Sequence, residues 1–217
     1  MSSDRLSTAA SSCPSNHTVR TLALAALSGI ALTLWWVRAS TWAPGFHFLW
    51  WNLFLAWVPW FASLVLARVK HGVTFWFTTA FWLAFFPNAP YLLTDLMHLR
   101  HRAPVPLWFD VLFLASFAWA GCLVGWDSLS RVHAALTRRH GSLKAGGFVF
   151  CCVALCGIGV FLGRFERLNS WELVTAPMRV VASSLESLQQ PRALVFSVAF
   201  AAFVGAGYLF TRREITS

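Results

Sequence analysis

The sequence predicts an all-α fold, a polytopic transmembrane helix bundle of about six spans, and two observations favour it. The 217-residue chain is 58% hydrophobic and only 12% charged, which is too apolar for a soluble domain of ordinary composition. It also contains six segments that approach the roughly 20 apolar residues needed to cross a bilayer. These segments are 21–37, 48–67, 73–86 with its continuation, 107–126, 145–162 and 193–210. Because no soluble domain, repeat or linker separates them, we expect residues 21–213 to form a single transmembrane domain.

The N-terminal residues 1–20 are rich in Ser and Thr and show no apolar periodicity. Such a segment lacks the apolar surface needed to fold, so we predict a disordered cytoplasmic tail. The first span then follows as an uncleaved anchor, with Trp35 and Trp36 at its far end, where Trp side chains meet the lipid headgroups.

The basic residues indicate topology rather than nucleic-acid binding. The formal net charge is +9, which in a soluble protein would suggest a nucleic-acid partner. Here the bases lie in short segments between spans, where they set orientation. We interpret 128–144, which carries Lys and Arg but no acidic residue, as a cytoplasmic loop. This orientation places both chain termini in the cytoplasm. The expected partners are membrane lipids or other membrane proteins, and no nucleic acid.

The third segment is interrupted, and the sequence around it predicts the working site. Residues 73–86 alone are too short to cross a hydrocarbon core of about 30 Å at about 1.5 Å per residue. The segment then meets Pro-Asn-Ala-Pro, in which Pro87 and Pro90 stop one helix and start another. We expect Phe86 to leave helical dihedral angles and Asn88 to cap the next helix. A break at membrane depth requires protein or a water-filled cavity to meet its freed hydrogen-bonding groups.

A short amphipathic helix at the membrane interface is predicted after the break, over residues 91–99. At helical spacing its three leucines share one side, and Thr94, Asp95 and His98 fall on the adjoining side. We expect the polar side to face a cavity and the apolar side to face lipid or core. Further along, the segment 173–191 is predicted to form an outer loop or a second interfacial helix.

Other polar residues fall near the same membrane face by the topology count. Asn52 lies in the first turns of the second span and either bonds a neighbouring helix or contacts substrate. Asp110 opens the fourth span, where it is either a functional group or a favourable partner of the helix dipole. A second cluster follows the fifth span and contains Arg164, Arg167, Asn169, Ser170 and Trp171.

These residues form four blocks that together resemble a known family. The blocks are Asn52 to Pro59, Phe86 to Tyr91 with Thr94, Asp95 and His98, Trp108 to Asp110, and Gly163 to Phe165 with Arg167, Asn169, Ser170 and Trp171. As a set they resemble the bacterial polytopic membrane proteins grouped as domain of unknown function 1361. Glu172 stands where that family has Asp, which keeps the carboxylate. The resemblance implies a multi-pass protein of the bacterial inner membrane and supports these positions without supplying chemistry.

Three functions are compatible with these residues. In the first, arginines hold the phosphate of an anionic lipid headgroup or lipid-linked substrate, and Asp95, His98 or Asp110 acts as catalytic base or acid. The substrate-binding set would then be Asn52, Asn88, Tyr91, Thr94, Arg164, Arg167, Asn169, Ser170 and Trp171. In the second, the charged residues are ion pairs that hold helices together in a structural or assembly partner. In the third, the broken third helix serves a transporter of small solutes or ions. The sequence leaves open whether the protein is an enzyme.

No cofactor and no metal are expected. Asp95, His98 and His101 recur at intervals of three, but these positions drift around a helix and lack an evident second shell for a metal. The sequence also contains no phosphate loop and no dinucleotide fingerprint.

Overall fold

The computed structural model describes residues 16–42, 44–69, 72–168 and 170–216, without the side chains of residues 174 and 213–216. In these ranges the chain is built from helices, and its only extended pairing is an isolated bridge between Arg102 and Val105. The all-α prediction is confirmed. Of the predicted tail, residues 1–15 lie outside the described residues, whereas residues 16–20 are the first turn of a helix and not disordered.

The helices are bounded as follows. They are α1 (Asn16–Thr41), α2 (His47–Arg68), α3 (Val73–Phe85), α4 (Asn88–Tyr91), a 3-10 helix (Leu92–His98), α5 (Leu107–His140), α6 (Ser142–Phe165), α7 (Glu172–Thr175), α8 (Pro177–Leu188) and α9 (Pro191–Thr216). Helices α1, α2, α5, α6 and α9 are long and apolar enough to cross a membrane. Helix α3 has 13 residues, about 20 Å at the usual rise, so the third of the six predicted spans is a short one.

Helix α5 is the centre of the bundle. It packs against α1, α2, α6, α9 and the 3-10 helix, and its 34 residues make it the longest element described. One apolar cluster, including Leu53, Phe113 and Leu92, joins α2 and α5 to the 3-10 helix. A second, including Trp82 and Leu129, joins α3 and α5 and extends to α6 and α9.

The predicted cytoplasmic loop 128–144 is mostly helical. Residues 128–140 continue α5, and the connection to α6 is the single residue Gly141, whose φ of 83° favours glycine. The basic residues of this stretch do not lie in a loop. Arg131 bonds Asp127, and the Arg139 guanidinium bonds the backbone oxygen of Val69. Cations in the last turn of a helix are favoured by the helix dipole, which applies to Arg138 and Arg139 at the end of α5.

The break after α3 is a tight turn, and two details predicted for it are wrong. Phe86 keeps helical dihedral angles (φ −54°, ψ −41°) because its N–H bonds Trp82 and its buried ring stacks on the Trp82 ring. This packing overrides the usual effect of the following proline. Asn88 does not cap the next helix. Its Nδ2 instead donates to the Phe85 backbone oxygen at 3.0 Å, which satisfies a carbonyl at the end of α3.

The predicted helix is present as a 3-10 helix, but its polar side faces protein and not a cavity. With about three residues per turn, residues three apart lie above one another, so the register differs from that of an α-helix. Thr94 and Asp95 point into the bundle and are buried, whereas Leu96 and Met97 are exposed. The polar residues Thr94 and Asp95 therefore face protein together with the buried Leu92, and Leu96 and Met97 are the apolar residues left on the outside.

Helix α5 approaches the break closely because it carries glycine there. A Cβ atom at Gly121 would collide with the backbone oxygen of Ala89 and the side chain of Leu92, and one at Gly125 would lie 3.1 Å from the Ala89 Cβ. The two glycines are spaced four apart on one face of α5, a pattern that permits close backbone contact in membranes.

The Gly121→Ala substitution is therefore expected to destabilise the protein by about 1–3 kcal/mol, because the break segment would have to move away from α5. Chemical unfolding of the purified protein in detergent measures this. Gly147→Ala is the matched control, since nothing lies within 4 Å of a Cβ there and alanine favours a helix. Equal stability of the two variants would contradict the close contact.

Candidate functional site

The predicted polar clusters meet at one end of the bundle, around Asp95. This carboxylate is 1% exposed. Its Oδ1 accepts a hydrogen bond from the Arg164 guanidinium, and its Oδ2 accepts one from Asn52 Nδ2 at 3.2 Å. The 3-10 helix, α6 and α2 thus each supply one member of a buried network. We call the end of the bundle that holds it the polar rim.

Arg164 is held on several sides. Its Nε and one terminal nitrogen donate to Thr94 Oγ1 at 2.9 and 2.6 Å, and the same terminal nitrogen reaches Asp95. The guanidinium also lies 4.5 Å from the centre of the Tyr91 ring. Buried charges are stable only when paired and hydrogen-bonded in this way. The arginine predicted to bind a substrate phosphate is therefore engaged with the protein itself.

Asp110 belongs to a different cluster. Its Oδ1 accepts from Arg38 Nε at 2.7 Å and its Oδ2 from an Arg38 terminal nitrogen at 3.4 Å, and both side chains are 3% exposed. The Arg38 guanidinium also lies 4.6 Å from the centre of the Phe46 ring. The structure thus gives Asp110 a structural partner in α1, and the geometry does not support the predicted catalytic role.

His98 lies at the edge of the network. Its Nδ1 is 3.2 Å from the Asp95 backbone oxygen and 3.9 Å from Asp95 Oδ1. Its ring packs against Phe46 and Phe48, and its side chain is 37% exposed. His98 is thus accessible to solvent, whereas the neighbouring Asp95 side chain is buried.

A cavity of about 540 Å³ lies beside this network, between α2, α3, the break, α6 and α8. Along most of its length it is apolar, with Leu55, Leu83, Leu155, Ile158 and Leu162 among its lining residues. Its polar wall consists of Asn52, Asn88, Tyr91, Ser170 and Trp171. Asn88 Nδ2 donates to Ser170 Oγ at 2.9 Å, which links the break to the segment after α6.

The remaining predicted residues lie elsewhere. The Arg164 guanidinium lies over the Tyr91 ring and bonds Thr94, and neither of these two residues lines the cavity. Arg167 is exposed, with a φ of 57°, and is not part of the polar wall. Asn169 lies outside the described residues. In the ranges that the structure describes, no group of three or more His, Cys, Asp or Glu residues is placed to hold a metal ion.

A family model with the description Protein of unknown function (DUF1361) matches residues 51–206 of the chain. The chain belongs to the DUF1361 family. No curated protein and no solved structure matches the chain significantly. The match covers α2 to most of α9 and so contains the cavity and the Asp95 network of this DUF1361 protein.

Sequence reasoning missed one ion-pair partner and one residue of the cavity. Arg38 precedes the matched region, yet it pairs with Asp110 inside it. The sequence feature that could have indicated it was a charged residue at the end of the first predicted span, at the face to which the topology count also assigned Asp110. Ser184 of α8 also lines the cavity. The sequence feature that could have indicated this was the spacing of Ser183, Ser184 and Ser187, which puts them on one side of a helix.

Helix α8 forms one side of the cavity, with polar residues on its inner side and apolar residues on its exposed side. Ser184 and Ser187 lie on its inner side, and Ser187 is buried. Its exposed side carries Met178, Val181 and Leu185. An amphipathic helix whose apolar side points away from the protein fits the boundary between headgroups and acyl chains. The predicted alternatives of a loop and an interfacial helix are thus resolved, within the described residues, in favour of a helix.

Proposed function

We propose that this DUF1361 protein binds a membrane amphiphile, a lipid or a lipid-linked molecule, at the extracytoplasmic face of the bacterial inner membrane. The observation that carries the proposal is the cavity, which is apolar along its length and ends in the polar wall of Asn52, Asn88, Tyr91, Ser170 and Trp171. An amphiphile has the same division into chain and headgroup. The volume of about 540 Å³ lies in the range of small-molecule sites, which are concave, mostly apolar and furnished with a few placed polar groups.

The exposure of the lining residues supports entry from the lipid phase. Ala80 on α3 and Leu155 on α6 line the apolar part and are exposed on the outside of the bundle, where acyl chains would contact them. Trp51 and Trp171 line the other part and are also exposed. Trp is enriched at the headgroup level of membranes. A chain could therefore slide into the cavity between α3 and α6 while its headgroup stays near the interface.

The geometry favours binding over acid–base catalysis. Asp95 does not line the cavity, and both its oxygens already accept hydrogen bonds from Arg164 and Asn52. A general base must reach the proton that it removes, directly or through one water. Here Asn52 and Tyr91 stand between the carboxylate network and the cavity, so the network positions the polar wall.

One observation favours the structural alternative for part of the molecule. The Arg38–Asp110 pair is 3% exposed on both sides and touches the Phe46 and Phe113 rings. It is a helix-pairing ion pair between α1 and α5. The transporter alternative has less support, because α3 packs large apolar side chains into the core of the bundle. Phe75 and Trp82 are buried there in the same apolar cluster as Leu66.

Filling the cavity should abolish binding. In Ala84→Phe, a ring added to a lining residue would occupy the space for the chain, and we expect the purified protein to lose a co-purifying lipid. Mass spectrometry of organic extracts measures this. The matched control is Ala202→Phe, at an exposed position on α9 that does not line the cavity. Identical lipid profiles from wild type, Ala84→Phe and Ala202→Phe would contradict the proposal.

A further inference from the structure

The hydrogen-bonding groups left unused in the polar wall identify the kind of headgroup, provided that the proposed amphiphile site is correct. Asn52 is the first of these groups. Its Nδ2 donates to the Asp95 carboxylate, an acceptor, so the amide nitrogen must face Asp95 and the amide oxygen must point away. That Oδ1 receives no hydrogen bond within the described residues. Asn52 therefore presents a free acceptor.

Asn88 is oriented in the same way. Its Nδ2 donates to the Phe85 backbone oxygen at 3.0 Å and to Ser170 Oγ at 2.9 Å. A backbone carbonyl accepts only, which again fixes the amide nitrogen on that side. Asn88 Oδ1 has no donor among the residues that the structure describes. Within the described residues, the wall thus holds two amide oxygens that are available to accept a hydrogen bond from a ligand.

The same wall also offers donors. The Tyr91 hydroxyl and the Trp171 indole N–H make no hydrogen bond in the described ranges. Ser170 Oγ accepts from Asn88, and its own hydrogen has no acceptor among the described side chains and backbone. An unpaired polar group costs free energy when a ligand seals it from water, so a well-fitting headgroup must both accept and donate.

The charges around the wall disfavour an anion. No charged side chain lines the cavity in the described part of the chain. Arg164 is turned towards Thr94 and Asp95. Glu172 follows Trp171 in the sequence, and its carboxylate lies 4.0 Å from the Arg179 guanidinium. A phosphate offers acceptors and negative charge, which would face two amide oxygens without a compensating arginine.

We infer that the bound amphiphile carries an uncharged headgroup whose hydroxyl or amide groups both donate and accept hydrogen bonds, and that it carries no phosphate. This differs from the anionic headgroup expected from the arginines in the sequence. The same chemistry is shared by glycerol-type and sugar-type headgroups, and the wall selects for it through Asn52, Asn88 and Tyr91.

Two probes that differ only in the phosphate test the inference. The protein in phosphatidylcholine nanodiscs is titrated with 1-oleoylglycerol and, separately, with 1-oleoylglycerol 3-phosphate, and retention of each is quantified by native mass spectrometry. We expect the uncharged probe to bind about tenfold more tightly or better, because the phosphate leaves the amide oxygens unpaired, at about 1.4 kcal/mol per factor of ten. Ala84→Phe should abolish binding of the uncharged probe.

The Tyr91→Phe variant assigns the preference to the polar wall. It keeps the ring beside Arg164 and removes only the hydroxyl, so we expect about a fivefold loss of 1-oleoylglycerol binding, the effect of one hydrogen bond. Tyr208→Phe is the matched control, because Tyr208 pairs with His133 between α5 and α9 and does not line the cavity. An equal loss in both variants, or in neither, would overturn the assignment to this wall.

The outcomes separate the two proposals. Equal or tighter binding of the phosphate probe, abolished by Ala84→Phe, would overturn the uncharged headgroup and leave the amphiphile site standing. Retention of neither probe, or retention that Ala84→Phe does not change, would overturn the amphiphile site and with it the inference about its headgroup.

Discussion

Replacing Arg164 by alanine is expected to destabilise the protein by about 3–5 kcal/mol, because removing one member of a buried ion pair leaves the other charge uncompensated. Asp95 is 1% exposed and, of the side chains that the structure describes, would keep Asn52 alone as a hydrogen-bond donor. Thr94 Oγ1 would also lose its donors. Unfolding of the purified protein in detergent, followed by tryptophan fluorescence, measures the change in the free energy of unfolding.

Arg167 provides the control for this experiment. It is three residues from Arg164 but exposed, so Arg167→Ala should change the free energy of unfolding by less than about 0.5 kcal/mol. The double variant Asp95→Asn with Arg164→Gln should recover part of the loss, because it removes both charges together. Arg164→Ala protein as stable as wild type would show that the Asp95–Arg164 pair does not hold α6 to the 3-10 helix.

The sequence was sufficient to predict that three of the polar residues lie at the same end of the bundle. The lengths of the apolar runs and the Pro-Asn-Ala-Pro break placed Asn52, Asp95 and Arg164 at one membrane face, and in the structure these three side chains are in contact. The position of a residue along a helix follows from counting residues, because the rise per residue is fixed by local geometry. The fold class could be predicted for the same reason.

The partner of each charge could not be predicted, because pairing depends on how each helix is rotated about its axis. The sequence placed Asp110 and Arg164 at the same face, but Asp110 meets Arg38 and Arg164 meets Asp95. Rotation is set by packing between distant segments, such as the close approach of α5 to the break at Gly121. A single sequence contains no direct record of those contacts.

The segment after the break shows a second limit. An α-helical register predicted that Thr94 and Asp95 would line a cavity, whereas the 3-10 helix turns them into the protein. The choice between these two helices depends on weak local preferences and on tertiary contacts, here the bonds from Arg164 to Thr94 and Asp95. The residues that do line the cavity, Asn88 and Tyr91, precede that change of register.

The second large effect is expected at the Arg38–Asp110 pair. Asp110→Ala should destabilise the protein by about 3–5 kcal/mol, since it leaves the Arg38 guanidinium in an environment that is 3% exposed. The double variant Arg38→Met with Asp110→Leu should restore most of the stability, because apolar residues of similar volume can replace a buried ion pair. The free energies of unfolding of the three proteins measure both effects.

Amphiphile binding by the double variant then separates a structural from a chemical role for Asp110. Asp110 does not line the cavity, so a protein whose stability is restored should bind 1-oleoylglycerol as wild type does. Loss of binding with restored stability would instead assign this pair a part in the site. Retained binding would limit the functional residues at this end of the bundle to the polar wall and the Asp95–Arg164 network behind it.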